Sequence, residues 1–300
     1  MGRFTAIVLG AAAGGGFPQW NCRCPVCRLA WSGDTRVKPR TQASLAVSAD
    51  GKKWILLNAS PDLRAQIQAT PALQPRCDPR DSPIAAVILT GAEVDQTAGL
   101  LTLRERQAFA VFATAETLAA LDANPIFRVL GADIVTRKPI VTGEPFALGG
   151  LTVELFTVPG KVPLYLEGDN PALASETGAN VGAEIICGTH RLVYVPGAAA
   201  VPAALRGRLA GADVVLFDGT LFADDEMIAS GTGSKTGRRM GHMPLDGADG
   251  TLAALAGLRC RRILIHINNT NPILIDDSPE RRKVEAAGFE VAEDGMEIKL

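Results

Sequence analysis

Strand and helix signals alternate along most of the chain, hairpins stand at both ends, and strands outnumber helices. Together these point to an α/β protein built as two sheets sandwiched between helices, in place of one doubly wound sheet. A length of 300 residues, 47% hydrophobic and 21% charged, can bury a large core and excludes a disordered, collagenous or coiled-coil chain. No internal repeat or low-complexity linker divides the sequence, so residues 1–300 are expected to form one domain.

Residues 5–9 are a short β-branched and aliphatic run ending in the glycine-rich stretch 10–16. Residues 44–47 and 54–57, joined through Ala49-Asp50-Gly51-Lys52, predict a β-hairpin. A helix follows, with Ser60 as expected N-cap, Pro61 in the first turn where its missing N–H is tolerated, and Leu63 and Ile67 one turn apart. Residues 84–89 are a continuous apolar run of buried-strand length. A helix carrying Leu100, Leu101 and Leu103 is expected to start near Ala98, with Asp95 suited to be its N-cap. Residues 109–112 predict a strand, 116–121 a helix, and 151–158 a strand whose alternation suits a half-buried edge.

Residues 159–181 show no periodicity, and about twenty such residues inside a compact chain usually form a binding loop or lid, so they are expected to border the functional site. Residues 183–187 and 192–195 flank Gly188-Thr189-His190 as a hairpin, and 213–217 and 262–265 are strands with helical segments between them. Residues 279–287 predict a helix closed by Gly288, and 289–300 a last hairpin around Glu293-Asp294-Gly295.

Thirty Lys plus Arg stand against 32 Asp plus Glu, a net charge of −2, which leaves no cationic excess for a nucleic-acid partner. A small-molecule ligand is expected instead. Glycines 14–16 and Pro18 interrupt the apolar stretch 4–20, so no membrane span is expected. Arg3 followed by the apolar run 6–13 mimics a short signal peptide, but the run is brief and carries a single positive charge. The closely spaced cysteines suit a reducing compartment, and a cytoplasmic location is expected.

Three thiolates within Cys22-Arg23-Cys24-Pro25-Val26-Cys27 can converge on one zinc ion, with a fourth ligand from elsewhere. Such a closed site is structural and would tie the irregular loop, about residues 10–30, to the core. Cys77, Cys187 and Cys260 have no partner spacing and are expected to be core or loop thiols. A second signal is positional. Glu93 and Asp95 follow the buried run 84–89, Asp218 ends the run 214–217, and His266 ends 263–265, where open α/β sheets present ligand groups. A mixed carboxylate and imidazole set with open positions suits non-haem Fe(II) and oxygen chemistry.

The chain has three histidines. His190 falls in a predicted turn and is expected to be solvated; His242 is suited to be a metal ligand or a proton-transfer residue, or else a satisfied structural histidine. Two glycine-rich stretches imitate nucleotide loops and fail on detail. Ser234 stands before Lys235 where a phosphate loop needs glycine, and Phe17-Pro18-Gln19-Trp20-Asn21 cannot open the helix of a dinucleotide fold.

The segment Gly10-Ala11-Ala12-Ala13-Gly14-Gly15-Gly16-Phe17-Pro18-Gln19-Trp20-Asn21-Cys22 closely resembles the coenzyme PQQ synthesis protein B family. So do Asn58-Ala59-Ser60-Pro61-Asp62, Asp218-Gly219-Thr220-Leu221, Met240-Gly241-His242 and His266-Ile267-Asn268-Asn269-Thr270-Asn271-Pro272-Ile273-Leu274. The resemblance implies a metallo-β-lactamase-like four-layer αββα sandwich with mixed sheets. In that superfamily the first metal-binding loop reads His-x-His-x-Asp-His; here Gly91, Glu93, Asp95 and Gln96 hold those places, and residues 159–165 offer no mid-chain histidine. An ordinary dizinc hydrolytic site is therefore not expected. Related phosphodiesterases complete the cysteine site with a histidine where this chain has Asn269, so the fourth zinc ligand would be Asn269, a water or His266 itself.

The activity implied by the resemblance is an iron- and O₂-dependent hydroxylation in pyrroloquinoline quinone (PQQ) biosynthesis. Its substrate would be the tyrosine ring of a peptide-derived, crosslinked Glu-Tyr amino acid, and other PQQ biosynthesis proteins would be its partners. On this reading Asp95, Asp218 and His266 hold Fe²⁺, Glu93 is an additional ligand, His242 moves protons or orients substrate, and residues 159–181 form the lid. The alternative is a non-enzymatic carrier of PQQ or its precursor that aids transport; a hydrolase ranks third.

Overall fold

The computed structural model describes residues 4–169 and 171–300; Arg3 of the signal-like segment lies outside the described residues. Among these, fourteen strands form two sheets of seven. The first sheet contains β1 (Thr5–Gly10), β2 (Ser44–Ser48), β3 (Trp54–Leu57), β4 (Ile84–Ile88), β5 (Phe109–Ala113), β6 (Val135–Pro139) and, from the far end of the chain, β14 (Glu297–Lys299). The second contains β7 (Phe146–Leu148), β8 (Leu151–Thr157), β9 (Val181–Cys187), β10 (His190–Val195), β11 (Val214–Asp218), β12 (Arg261–Ile265) and β13 (Phe289–Val291). Their orders are β14-β1-β2-β3-β4-β5-β6 and β13-β12-β11-β10-β9-β8-β7.

Both sheets are mixed in the same way. The β14, β1, β2 and β3 neighbours pair antiparallel and the β3 to β6 neighbours parallel. In the second sheet β7 to β10 pair antiparallel and β10 to β13 parallel.

Side chains alternate between the two faces of a strand, and here both faces are buried. In β1, Ala6 and Val8 join the core between the sheets while Ile7 and Leu9 face outward; in β11, Val214 and Leu216 point inward and Val215 and Phe217 outward. Helices cover the outer faces. Leu63 of the helix Leu63–Ala69 and Leu118 and Leu121 of Ala115–Ala123 pack on the first sheet. Leu205 and Leu209 of Ala203–Ala210 and Val284 of Pro279–Ala286 pack on the second. The result is the expected αββα layering. Both apolar faces of the central strands explain why their sequences read as continuous runs.

Several expectations need correction. Residues 289–300 are not a hairpin: β13 pairs with β12, β14 pairs with β1, and the chain crosses between sheets. Residues 151–158 do not form an edge, because β7 lies outside β8. The strands β6 and β7 at the sheet margins escaped sequence reading because β6 is polar and largely exposed and β7 is three residues long. The helix after Ser60 begins at Leu63 behind Asp62, and the buried Ser60 does not cap it. The segment near Ala98 is a 3-10 helix, Ala98–Leu103, preceded by a short α-helix Val94–Thr97.

The glycine-rich stretch after β1 runs between the two sheets. Ala12 N–H donates to Thr41 O (2.8 Å) and its carbonyl accepts from Ala43 N–H (2.7 Å), while Ala13 N–H donates to Ile267 O and Ile267 N–H to Ala11 O, both 2.9 Å. None of the helices among the described residues is long and apolar enough to cross a membrane.

Candidate metal centres and pocket

Three parallel strands deliver acidic or imidazole groups to one end of the sandwich. Asp218 is the last residue of β11, His266 follows β12, and Asp95 lies in the helix Val94–Thr97 that follows β4. The loop before that helix is fixed by a buried pair: Asn58 Nδ2 donates to Thr90 Oγ1 and Thr90 N–H to Asn58 Oδ1, both 2.9 Å. Glu93, not Asp95, is the N-cap, in a reciprocal capping box with Gln96. Asp95 therefore sits in the first turn with its side chain free to point at His266. His242 comes from the segment after the 3-10 turn Arg238–Met240.

Asp218, His242 and His266 each bring a donor atom within 4.8 Å of the others. His242 Nδ1–H donates to Asp218 Oδ2 at 2.7 Å, and His266 Nε2–H to Asp95 Oδ2 at 2.9 Å. Thr220 Oγ1 is the hub: it donates to Asp218 Oδ1 (2.6 Å) and lies 2.8 Å from His266 Nδ1 and 3.1 Å from His242 Nδ1. Backbone N–H groups of Ala198 and Thr220 complete the shell of Asp218, at 2.9 and 3.0 Å. His266 holds a left-handed φ of 59°, a conformation that costs a non-glycine residue about 1 kcal/mol or more. The surrounding hydrogen bonds offset it.

Burial alone would raise the Asp95 and Asp218 pKa values, yet the facing imidazoles hold both below the ordinary carboxylate range. Burial opposes a charged His266, but its bond to Asp95 and the charges of Asp95, Asp218 and Glu93 lift it above the usual value. The carboxylates thus favour the charged form of His266, and a cation entering the cluster would compete with its proton. One or two imidazoles with two carboxylates make a hard, open donor set that fits ferrous iron.

Glu93 stands apart from these atoms. Its Oε1 accepts from Leu164 N–H (3.0 Å) and from Lys161 Nζ (3.3 Å), so this side chain, expected as an additional iron ligand, instead fastens the segment 159–181. Burial raises the Glu93 pKa against the pull of Lys161. Tyr165 OH donates to Ala92 O at 2.8 Å, a second tie. Beneath this segment lies a cavity of about 770 Å³ whose lining includes Asp95, His242, His266, Lys161, Tyr165 and Glu167. Gly160, Leu164 and Asn180 of the aperiodic stretch line it as well. Thr220, Lys161, Tyr165 and Glu167 went unread in the sequence; only the position of Thr220, two residues past a strand-ending aspartate, hinted at its place.

The second cluster is made of sulfur. Cys22, Cys24 and Cys27 are buried free thiols whose Sγ atoms lie within 4.8 Å of one another, at the start of the helix Pro25–Trp31. Asn269 turns its amide into this triangle, with Nδ2 3.1 Å from Cys22 Sγ, 3.3 Å from Cys27 Sγ and 3.9 Å from Cys24 Sγ. Of the three fourth-ligand alternatives, Asn269 is the side chain against the sulfurs, and His266 belongs to the other cluster. Hydrogen bonding to Cys27 pushes the Cys24 thiol up, and the same bond holds the Cys27 pKa down. Convergent sulfurs, one of them favoured as thiolate, fit a tetrahedral zinc ion. Cys77 is exposed, Cys187 and Cys260 are half-buried, and all three are unpaired. His190 is exposed as expected.

Two facing mixed sheets with ligand groups at their strand ends define a class, and residues 53–267 match the family model of the beta-lactamase superfamily domain. The chain belongs to the metallo-β-lactamase superfamily. It is 58% identical to coenzyme PQQ synthesis protein B of Methylobacterium nodulans, over 98% of this chain and 99% of that protein. A crystal structure of Zn²⁺-bound PqqB from Methylobacterium extorquens superposes with a TM-score of 0.97 at 54% identity, covering 99% of this chain and 100% of the other. Within the superfamily, then, the chain belongs to the coenzyme PQQ synthesis protein B family. A diphosphatase of the PhnP family, with a TM-score of 0.69 at 20% identity over 99% of this chain and 97% of its own, shares the fold alone.

Proposed function

We propose that this protein acts in PQQ biosynthesis as an iron- and O₂-dependent hydroxylase of the tyrosine ring of the peptide-derived, crosslinked Glu-Tyr intermediate. Family membership supports the pathway, and the carboxylate and imidazole set on the floor of the cavity carries the chemistry. Asp95, Asp218 and His266 would hold Fe²⁺, and Cys22, Cys24 and Cys27 would hold a structural zinc ion, with Asn269 either donating its amide N–H to the thiolates beside a water ligand or, its amide turned over, supplying Oδ1 as the fourth ligand. Bound there, iron supplies redox chemistry with O₂ at its open positions.

The chain's own groups do the rest. Asp218 fixes Nδ1 of His242, leaving Nε2 of that partly exposed, cavity-lining imidazole to exchange a proton with the ring hydroxyl of the substrate. Thr220 holds the two imidazoles and Asp218 in register. Residues 159–181, tied down through Leu164 and Tyr165, act as the lid that excludes water.

Protein loaded anaerobically with Fe²⁺, supplied with ascorbate as two-electron reductant and then exposed to air, is expected to consume O₂ and convert the crosslinked amino acid to a product heavier by one oxygen, the second oxygen leaving as water. Asp218→Ala is expected to lose both iron and product. His242→Gln is expected to keep its iron while its turnover falls about 10²-fold. Metal analysis of Cys22→Ser is expected to show zinc loss with iron retained. Tight binding of the amino acid without oxygen uptake would replace this reading with the carrier, and zinc-dependent phosphodiester cleavage would replace it with a hydrolase.

A further inference from the structure

The roof of the cavity carries an arrangement of charge that ring hydroxylation does not require. Lys161, Lys235 and Arg239 converge on one carboxylate, Glu167. Its Oε1 lies 2.6 Å from Lys161 Nζ, and its Oε2 lies 3.1 Å from Arg239 Nη1 and 3.9 Å from Lys235 Nζ. The Glu167 side chain is only 7% exposed, whereas Lys235 and Arg239 are 39% and 36% exposed. Among the described residues Glu93 is the one other acidic side chain paired with these cations, 3.3 Å from Lys161, so the group keeps a cation in excess. Lys161, Glu167 and Lys235 line the same cavity as Asp95, His242 and His266. Glu167 and Lys161 both fall on the stretch enclosed by the Gly160 and Ser175 bridge, apart from the strands.

We propose that Lys161, Lys235 and Arg239 form a carboxylate-binding subsite for the substrate, and that Glu167 occupies it as an internal stand-in until a ligand carboxylate takes its place. This rests on the reading of the cavity as the site of an amino-acid-derived substrate, and it names what the cavity recognises: a polycarboxylate whose acidic group binds at the roof while its ring lies on the floor. Arg239 offers a planar fork of N–H donors and the lysines add point charges, the combination that suits a carboxylate. The pairs of Glu167 with the partly exposed Lys235 and Arg239 are individually weak, whereas Lys161, 10% exposed and 2.6 Å away, is the contact an incoming carboxylate must make in place of Glu167. Two carboxylates held on the trio at once would repel, which makes departure of Glu167 the condition of tight binding.

Calorimetric titration of the zinc-containing protein, without added iron, with PQQ, a tricarboxylate, and with its trimethyl ester tests the idea. Glu167→Gln is expected to tighten binding of the free acid about threefold or more, and the double variant Lys235→Ala/Arg239→Ala to weaken it about tenfold. Neither is expected to change the affinity of the ester. The proposal is overturned by an unchanged or weaker affinity in Glu167→Gln, by an ester that responds as the acid does, or by no binding of the acid to either form. Circular dichroism melts confirm that the double variant folds, and Glu167→Gln keeps the test open if it does not. Because no iron or oxygen is involved, failure of hydroxylation leaves this result standing, and the reverse also holds.

Discussion

Glu226 is a carboxyl group placed where ionisation is costly. Burial lifts its pKa to about 7 even though Thr270 Oγ1–H and Phe222 N–H donate to it, at 2.6 and 2.7 Å. The folded protein therefore keeps a proton that the unfolded chain releases near its ordinary value of 4.5. Stability from this group is fully present below that value and is lost as pH rises through 7. Urea denaturation across pH 5 to 8 is expected to show this decline, and Glu226→Gln to flatten it by about 3 kcal/mol; an unchanged slope would place the pH dependence elsewhere. Such a residue leaves no trace in sequence, because its burial is completed by Thr270, 44 residues further along. Asp218 and His266 were legible for the opposite reason: each ends a continuous apolar run, and the strand end is where such sheets expose their chemistry. Thr220 and Asn269 matter through contacts across 46 and 247 residues, which no local pattern announces.

The short helix Val94–Thr97 and the 3-10 helix behind it owe their position to one close approach. Gly99 N–H donates to Ala59 O at 2.8 Å, and Ala59 N–H to Gln96 O at 2.7 Å. A Cβ on Gly99 would lie 2.1 Å from Ser60 O, a backbone atom that cannot swing aside. Gly99→Ala is thus expected to cost about 2 kcal/mol or more and to disturb the Asp95 arm. Chemical denaturation reads the first effect, and the Fe²⁺ affinity of the folded variant reads the second. Sequence reading placed a helix here but misassigned its start. Asp95 looks like an N-cap in isolation, whereas the reciprocal Glu93 and Gln96 bonds move the cap back, and aim Asp95 at His266. The segment 159–181 was readable only as an absence of periodicity; its anchors, Leu164 and Tyr165, became evident from their partners across the cavity.

Alternation along a strand tells which residues share a face but not which strand lies alongside. That is why residues 289–300 looked like a hairpin, while β13 and β14 close the ends of different sheets. Ile298 of β14 is 1% exposed and belongs to the core between the sheets. Ile298→Ala is therefore expected to destabilise the whole molecule by about 2–4 kcal/mol. Tryptophan fluorescence and far-UV circular dichroism should report the loss in a single coincident transition; an early, separate step would mean that the C-terminal strand melts alone. Two sheets between helices were foreseen because hairpins and crossover units occur in one chain, their mixed pairing was implied by the family resemblance, and the order of strands became evident only from their register.

The strip Ala11–Ala13 is hydrogen-bonded to Thr41 and Ala43 on one side and to Ile267 on the other. It works as a seam that sews the two sheets together beside the end where the cavity opens. On the proposed reading the floor is then a fixed template, and discrimination among ligands would fall to the segment 159–181 that covers it.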